Sequence, residues 1–175
     1  HFLLRRQRQM CIRDRAGEAA WCIHLGATSN DIVDTAVALQ IRDSIVLQKE
    51  ALNAVIQTLA DLAERERDTV MLGRTHGQAA VPITFGLKIA VFLDEFARHL
   101  ERLREIEGRA IAGKFLGAVG TGAAQGEGAL ELQRIILTSL GLTVPVATTQ
   151  VVGRDRYIEW VSWMANTSTL SLIHI

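Results

Sequence analysis

The stretch Asn30–Arg67, NDIVDTAVALQIRDSIVLQKEALNAVIQTLADLAERER, decides the fold class. Apolar residues recur at Ile32, Ala36, Leu39, Ile45, Leu52, Val55, Leu59 and Leu62, close to the three-to-four spacing of one helix face. Neither Gly nor Pro interrupts the run. At 1.5 Å per residue it would extend roughly 55 Å, a length that usually packs in extended bundles, often between subunits. Its start is marked by Thr28-Ser29-Asn30-Asp31, where Asp31 follows Thr28 at capping-box spacing. Its end is the charged run Glu64–Asp68, a solvated helix terminus.

Downstream, residues Thr69–Val81 read as a loop containing Gly73-Arg74-Thr75-His76-Gly77-Gln78. A second long helix is predicted after Pro82, with Phe85, Ile89, Phe92, Phe96, Leu100, Leu103 and Ile106 on one stripe. Its other face carries Asp94, Arg98, Glu101 and Arg102, which places His99 in a charged, solvated setting. Residues Gly108–Gly128 hold seven glycines and read as a connector. A shorter helix is predicted over Glu127–Leu140, stopped by Gly141, and another from Arg154 to about Thr169. Val144–Val152 is the best candidate strand, and a weak one. The reading is all-α, an elongated helical bundle.

Composition agrees with a soluble globular protein. Of 175 residues 49% are apolar, and 19 basic groups balance 19 acidic ones. There is no run of 18 apolar residues to cross a membrane and no basic excess to attract nucleic acid. The two ends differ from the rest. Residues 1–15 (HFLLRRQRQMCIRDR) are basic and lack a helical apolar period, and the tail 170–175 (LSLIHI) is similarly out of character. Both are expected to be non-native, adapter-derived segments. The first lacks the apolar core of a signal peptide and the Ser-rich pattern of a transit peptide. The organisation expected is therefore 1–15 non-native, 16–169 a partial domain, and 170–175 a non-native tail. The first fifteen residues hold five of the basic groups and one acidic group, so the remainder is mildly acidic. Cys11 falls in that end and leaves Cys22 without a partner, which fits a reducing, cytoplasmic setting without disulfides or metal-ligand spacing.

Two segments place polar groups at helix boundaries. In His24-Leu25-Gly26-Ala27-Thr28-Ser29, two hydroxyls stand beside the free N–H groups and positive dipole end of a long helix, a receptive site for a carboxylate or phosphate. The plainer alternative is that Thr28 or Ser29 simply caps the helix. In Arg74-Thr75-His76-Gly77-Gln78, flanking glycines let the backbone bring an imidazole close to a ligand, and histidine suits proton transfer near neutral pH. A loop histidine with only a structural role is the alternative there. The Gly-rich 117–128 (GAVGTGAAQGEG) follows no convincing strand and lacks the Lys-Ser/Thr ending of a phosphate-binding loop. It reads as a connector that could line a cleft.

The two segments resemble the first two signature regions of the fumarase/aspartase superfamily. IHLGATSNDIVDTA (23–36) is similar to the pattern of the adenylosuccinate lyase family, where argininosuccinate lyases usually show Ser-Arg-Asn-Asp. GRTHGQAAVPITFGLK (73–88) resembles the second region, and Gly77 after the histidine again favours that family. TQVVGRDRYIEW (149–160) resembles a segment in which a glutamine touches substrate. The similarity covers roughly residues 16–169, with three motifs in the right order.

The resemblance implies a C–N lyase of purine nucleotide biosynthesis that eliminates fumarate from adenylosuccinate, and from the related succinyl-aminoimidazole carboxamide ribotide, with no cofactor and no metal. It implies His76 as the general acid on the departing nitrogen. Thr28, Ser29 and Gln150 would bind the succinyl substrate, with His24 assisting. It also implies a homotetramer whose active sites draw on three subunits. The family's catalytic serine loop and an upstream His-Asp motif would lie outside these residues, so the chain alone is expected to be inactive. The rival readings are another lyase of the superfamily, carboxymuconate cycloisomerase-like or argininosuccinate lyase, and a non-catalytic helical interaction module.

Overall fold

The computed structural model describes residues 10–173, and His1 and His174 lie outside them. The chain divides into two compact units, one of residues 1–38 and 112–153, the other of 39–111 and 154–175. The main helices are α1 (Ser29–Arg65), α2 (Phe85–Ala110), α3 (Ala129–Ser139) and α4 (Asp155–Ile173). Short 3₁₀ turns occupy Gly17–Cys22 and Gly126–Gly128. Residues 10–15 are helical, and α4 continues past the expected end near Thr169 to Ile173. No helix among the described residues is long and apolar enough to cross a membrane.

The predicted α1 helix is present, and Ile45 and Leu52 of the predicted stripe are buried, but toward the N-terminus the buried face differs from that stripe. Asp31, Asp34, Thr35, Ala38, Ile41, Ile45 and Leu52 are buried, whereas Ile32 is 56% exposed. The spacing is still helical, offset by one position at the N-terminal end, and polar residues occupy it there. A period search that scores only apolar residues chooses the neighbouring stripe.

In the first unit, the segment after Ala110 runs beneath α1. Thr35 Oγ1 donates to the Lys114 carbonyl at 3.0 Å and accepts from the Lys114 amide at 3.1 Å. Gly113 permits this approach, since a Cβ there would lie 2.6 Å from Leu137 Cδ2. Gln133 of α3 accepts from the Phe115 amide at 2.8 Å. Leu137, Leu142 and Val152 are buried in the same unit. The weak strand candidate 144–152 is not a strand; one isolated bridge, Ala112 to Thr143, is all the pairing there.

In the second unit, the expected loop at 69–81 is a β-hairpin. β1 (Val70–Thr75) pairs antiparallel with β2 (Gln78–Thr84), with an irregularity between Leu72 and Arg74. Most of its residues are exposed on both faces, so burial imposes no apolar alternation, and the period-2 signal is missing. Pro82 is tolerated because a two-stranded ribbon has only edges. Thr84 then caps α2, its Oγ1 accepting from the Leu87 amide at 3.1 Å. Gly86 lets α2 begin against the end of α1, because a Cβ there would lie 2.5 Å from the Ala63 carbonyl.

Helices α2 and α4 pack through Leu100, Leu103, Ile106, Trp160 and Trp163, all buried, with the two indoles stacked at 5.3 Å. At the end of α2, Arg156 donates to the Arg109 carbonyl at 2.6 Å, and the Arg109 guanidinium pairs with Glu159. His99, expected in a solvated setting, is instead 5% exposed. Its carbonyl accepts from Trp163 Nε1 at 3.0 Å, and its Nδ1 lies 3.3 Å from Thr167 Oγ1. The arginines of the predicted charged face are present, but α4 covers the imidazole between them.

Burial holds the His99 imidazole below the usual histidine range, and the charges of Arg102 and Arg98 add to this, while Glu95 opposes it. The folded state thus favours the neutral ring, and the unfolded chain takes the proton first. Its contribution to stability is complete above the ordinary value of 6.5 and is lost as pH falls through that value toward the folded one. In melting curves from pH 8 to 5, His99→Gln should flatten the acid-side decline seen with the native residue. An unchanged slope would show that His99 does not couple to folding.

Candidate active site

The N-terminus of α1 is organised by one carboxylate. Asp31 and Lys114 are completely buried and form an ion pair, Lys114 Nζ donating to Asp31 Oδ1. The same carboxylate accepts from the amides of Leu116 at 3.2 Å, Gly117 at 3.1 Å and Thr28 at 2.7 Å. Lys114 Nζ also donates to the Gly117 carbonyl at 3.0 Å. Two consecutive amides, with Gly117 at φ +76°, thus form an anion nest that the protein fills itself. This accounts for the Gly-rich stretch without a phosphate: its first anion-binding turn is already occupied.

The predicted capping box forms in one direction only. Asp31 accepts from the Thr28 amide, as the motif requires. Among the described residues, however, neither the Thr28 nor the Ser29 hydroxyl is engaged by another group. Thr28 is half-buried and Ser29 exposed. Both hydroxyls therefore stand at the positive end of a 37-residue helix with their hydrogen-bonding capacity free. His24 is exposed in the preceding turn, at φ 66°, with Gly26 at φ 65°.

The connector 116–125 joins two of the signature segments. Gln125 Nε2 donates to the Gly26 carbonyl at 2.8 Å, and a Cβ at Gly117 would lie 3.0 Å from that same carbonyl. Gly120, at φ +79°, lies so close to the backbone of Thr148 and Thr149 that a Cβ there would overlap the Thr148 carbonyl. Val152 donates to Asp34 at 2.8 Å and ties the end of this segment to α1. Gln150 itself is exposed. His24, Thr28, Ser29 and Gln150 thus belong to one unit, on segments that share a support.

His76 belongs to the other unit. It occupies the tip of the hairpin, where Thr75 pairs with Gln78 and only His76 and Gly77 form the loop. Their φ values of 52° and 74° are those of a type I′ turn, the form matched to strand twist. Histidine accepts positive φ more readily than most residues. The imidazole is exposed at a point where a two-residue turn gives the backbone little freedom. Gly73 is buried against the opposite strand, 2.5 Å from the Val81 carbonyl were a Cβ present, so the motif's glycines serve the hairpin.

Lys114 and Gln125 were not singled out from the sequence. Lys114 is a lone charge in the otherwise apolar stretch Ile111–Gly117, and that isolation was its one available signal. Gln125 carried none.

A family profile described as lyase matches residues 10–175. The adenylosuccinate lyase of Pyrococcus abyssi (strain GE5 / Orsay) is 46% identical over 149 residues, 85% of this chain and 33% of that protein. The N-acetyl-S-(2-succino)cysteine lyase of Dickeya dadantii (strain 3937) is also 46% identical, over 151 residues, 86% of this chain and 33% of that protein. The crystal structure of a fumarate lyase from Mesorhizobium sp. BNC1 superposes with a TM-score of 0.85 at 43% identity, covering 93% of this chain and 38% of that one. The chain belongs to this lyase family, within the fumarase/aspartase superfamily. It spans about a third of the length of the curated relatives it matches.

The buried pair gives a direct test of this unit. Replacing Lys114 by Met leaves Asp31 charged and buried, and should cost ~3–5 kcal/mol in urea unfolding. Breaking the surface pair Arg42–Asp43 should cost at most ~1 kcal/mol. A Lys114→Met loss no larger than the surface one would remove Asp31 as the organising group.

Proposed function

We propose that these residues are part of an adenylosuccinate lyase that releases fumarate from a succinyl-purine nucleotide. The observation that carries the reading is the pair of unengaged hydroxyls at the α1 N-terminus, within a chain 46% identical to a protein of that name. A succinyl group presents two carboxylates, and hydroxyls, helix-terminal amides and the Gln150 carboxamide are the donors to receive them. The Asp31 charge would repel a dianion, but Lys114 already neutralises it.

The reaction is a general acid–base β-elimination. A base removes a proton from the carbon next to the C–N bond, the electron pair forms the C=C of fumarate, and the C–N bond breaks toward nitrogen. His76 supplies the proton that nitrogen needs in order to leave. The base is a serine on a loop outside these residues, as the family pattern implies. Thr28, Ser29 and Gln150 hold the succinyl half, and His24 assists. The working form is a cytoplasmic homotetramer whose active sites draw on three subunits, and the chain by itself is inactive.

The Dickeya dadantii relative supports a second reading, in which the same succinyl half is cleaved from sulfur. Chemistry separates the two. A thiol with a pKa near 8.5 departs as thiolate without a proton, whereas a departing amine needs one. In the full-length protein, His76→Ala should lower kcat on adenylosuccinate by about 10²-fold or more. Adenylosuccinate turnover unaffected by His76→Ala would sink the acid role. Turnover confined to N-acetyl-S-(2-succino)cysteine, with little loss in the variant, would establish the sulfur reading, and a wild type inactive on both would leave another lyase of the superfamily or a non-catalytic helical module.

A further inference from the structure

Gln125 lies outside all three signature segments, yet its carboxamide is fixed. Nε2 donates to the Gly26 carbonyl at 2.8 Å, and the flipped amide would set two oxygens against each other. Oε1 is therefore held on the opposite side of the group. It is buried, and among the described residues nothing donates to it. A buried carbonyl without a donor is unfavourable unless something else supplies one. Beside it is a cleft of about 290 Å³ between Gly26–Ala27 and the 116–125 loop, with Gln125 in its lining. Glycine at 26 lets the carboxamide come this close, since a Cβ there would lie 3.0 Å from it. The cleft opens one residue ahead of Thr28 and Ser29.

The polarity of Oε1 indicates which part of a substrate it meets. A succinyl dicarboxylate offers acceptors only, and a second acceptor aimed at it would repel. The departing half of a succinyl-purine nucleotide carries donors, the amine N–H and the sugar hydroxyls. We infer that Gln125 determines specificity: its Oε1 accepts a hydrogen bond from the leaving half of the substrate, while its Nε2 holds the loop leading to the carboxylate-binding hydroxyls. The inference rests on the proposed lyase reading. It deepens that reading by assigning the two ends of one carboxamide to the two halves of the substrate.

The two products separate these roles, because AMP carries only the leaving half and fumarate only the dicarboxylate. In the full-length protein, Gln125→Met keeps the side-chain length and removes the acceptor, and should weaken inhibition by AMP roughly tenfold, the scale of one hydrogen bond. It should weaken inhibition by fumarate less than AMP. Gln125→Glu keeps an acceptor and loses the donor to Gly26, and should give the reverse, fumarate weakened and AMP held within about threefold. The reverse pattern still tests the inference if the Met variant fails to fold. Equal weakening of both products in either variant means that Gln125 acts only through the loop, and overturns the inference, as does no change in either. If the wild type cleaves N-acetyl-S-(2-succino)cysteine and not adenylosuccinate, the nucleotide reading fails, and the same comparison is made with N-acetylcysteine in place of AMP. A wild type that cleaves neither overturns both.

Discussion

Burying a carboxylate without a counter-charge costs several kcal/mol even after the protein relaxes around it. The first unit is built on meeting that requirement at Asp31. The Lys114 ammonium and three backbone amides converge on its two oxygens, and the amides come from two parts of the chain far apart in sequence. The start of α1 and the turn at 116–117 can then occupy only one relative position. Thr35 and Asp34, on the same helical face, extend the arrangement by binding Lys114 and Val152. Two segments are docked on one polar stripe of a helix, with the hydroxyls of Thr28 and Ser29 left over.

The second unit solves a different problem. The His76 imidazole is held at a fixed point without being covered. A two-residue hairpin loop achieves this, because both of its residues are confined to positive φ and the strands behind them are paired. Glycine at 77 takes that conformation without cost, and glycine at 73 lets the strands close. The residues around His76 are thus explained by backbone geometry, which leaves the ring free for chemistry.

The relatives give this division of labour a chemical meaning. Their names share a succinyl or fumarate unit and differ in what is attached to it. In this chain the helix terminus with its two hydroxyls adjoins a glycine-lined cleft. Gln125 lies between the two, bonded to one and facing the other.

Much of this was legible in the sequence. The uninterrupted Asn30–Arg67 run required a long helix, and the three motifs in order identified the family, because both depend on local spacing along the chain. Thr28, Ser29 and His76 could be picked out as candidates because their neighbours mark a helix start and a glycine-flanked turn. The hairpin could not be read, since strands exposed on both faces need no alternation, and His99 could not be read as buried, since α4 covers it from more than sixty positions away. The N-terminal part of the inner face of α1 was hidden for the same reason, whereas Ile45 and Leu52 farther along it were legible. Asp31 is an acceptable core residue only once Lys114, 83 positions along, is folded against it, and that partnership exists only in three dimensions.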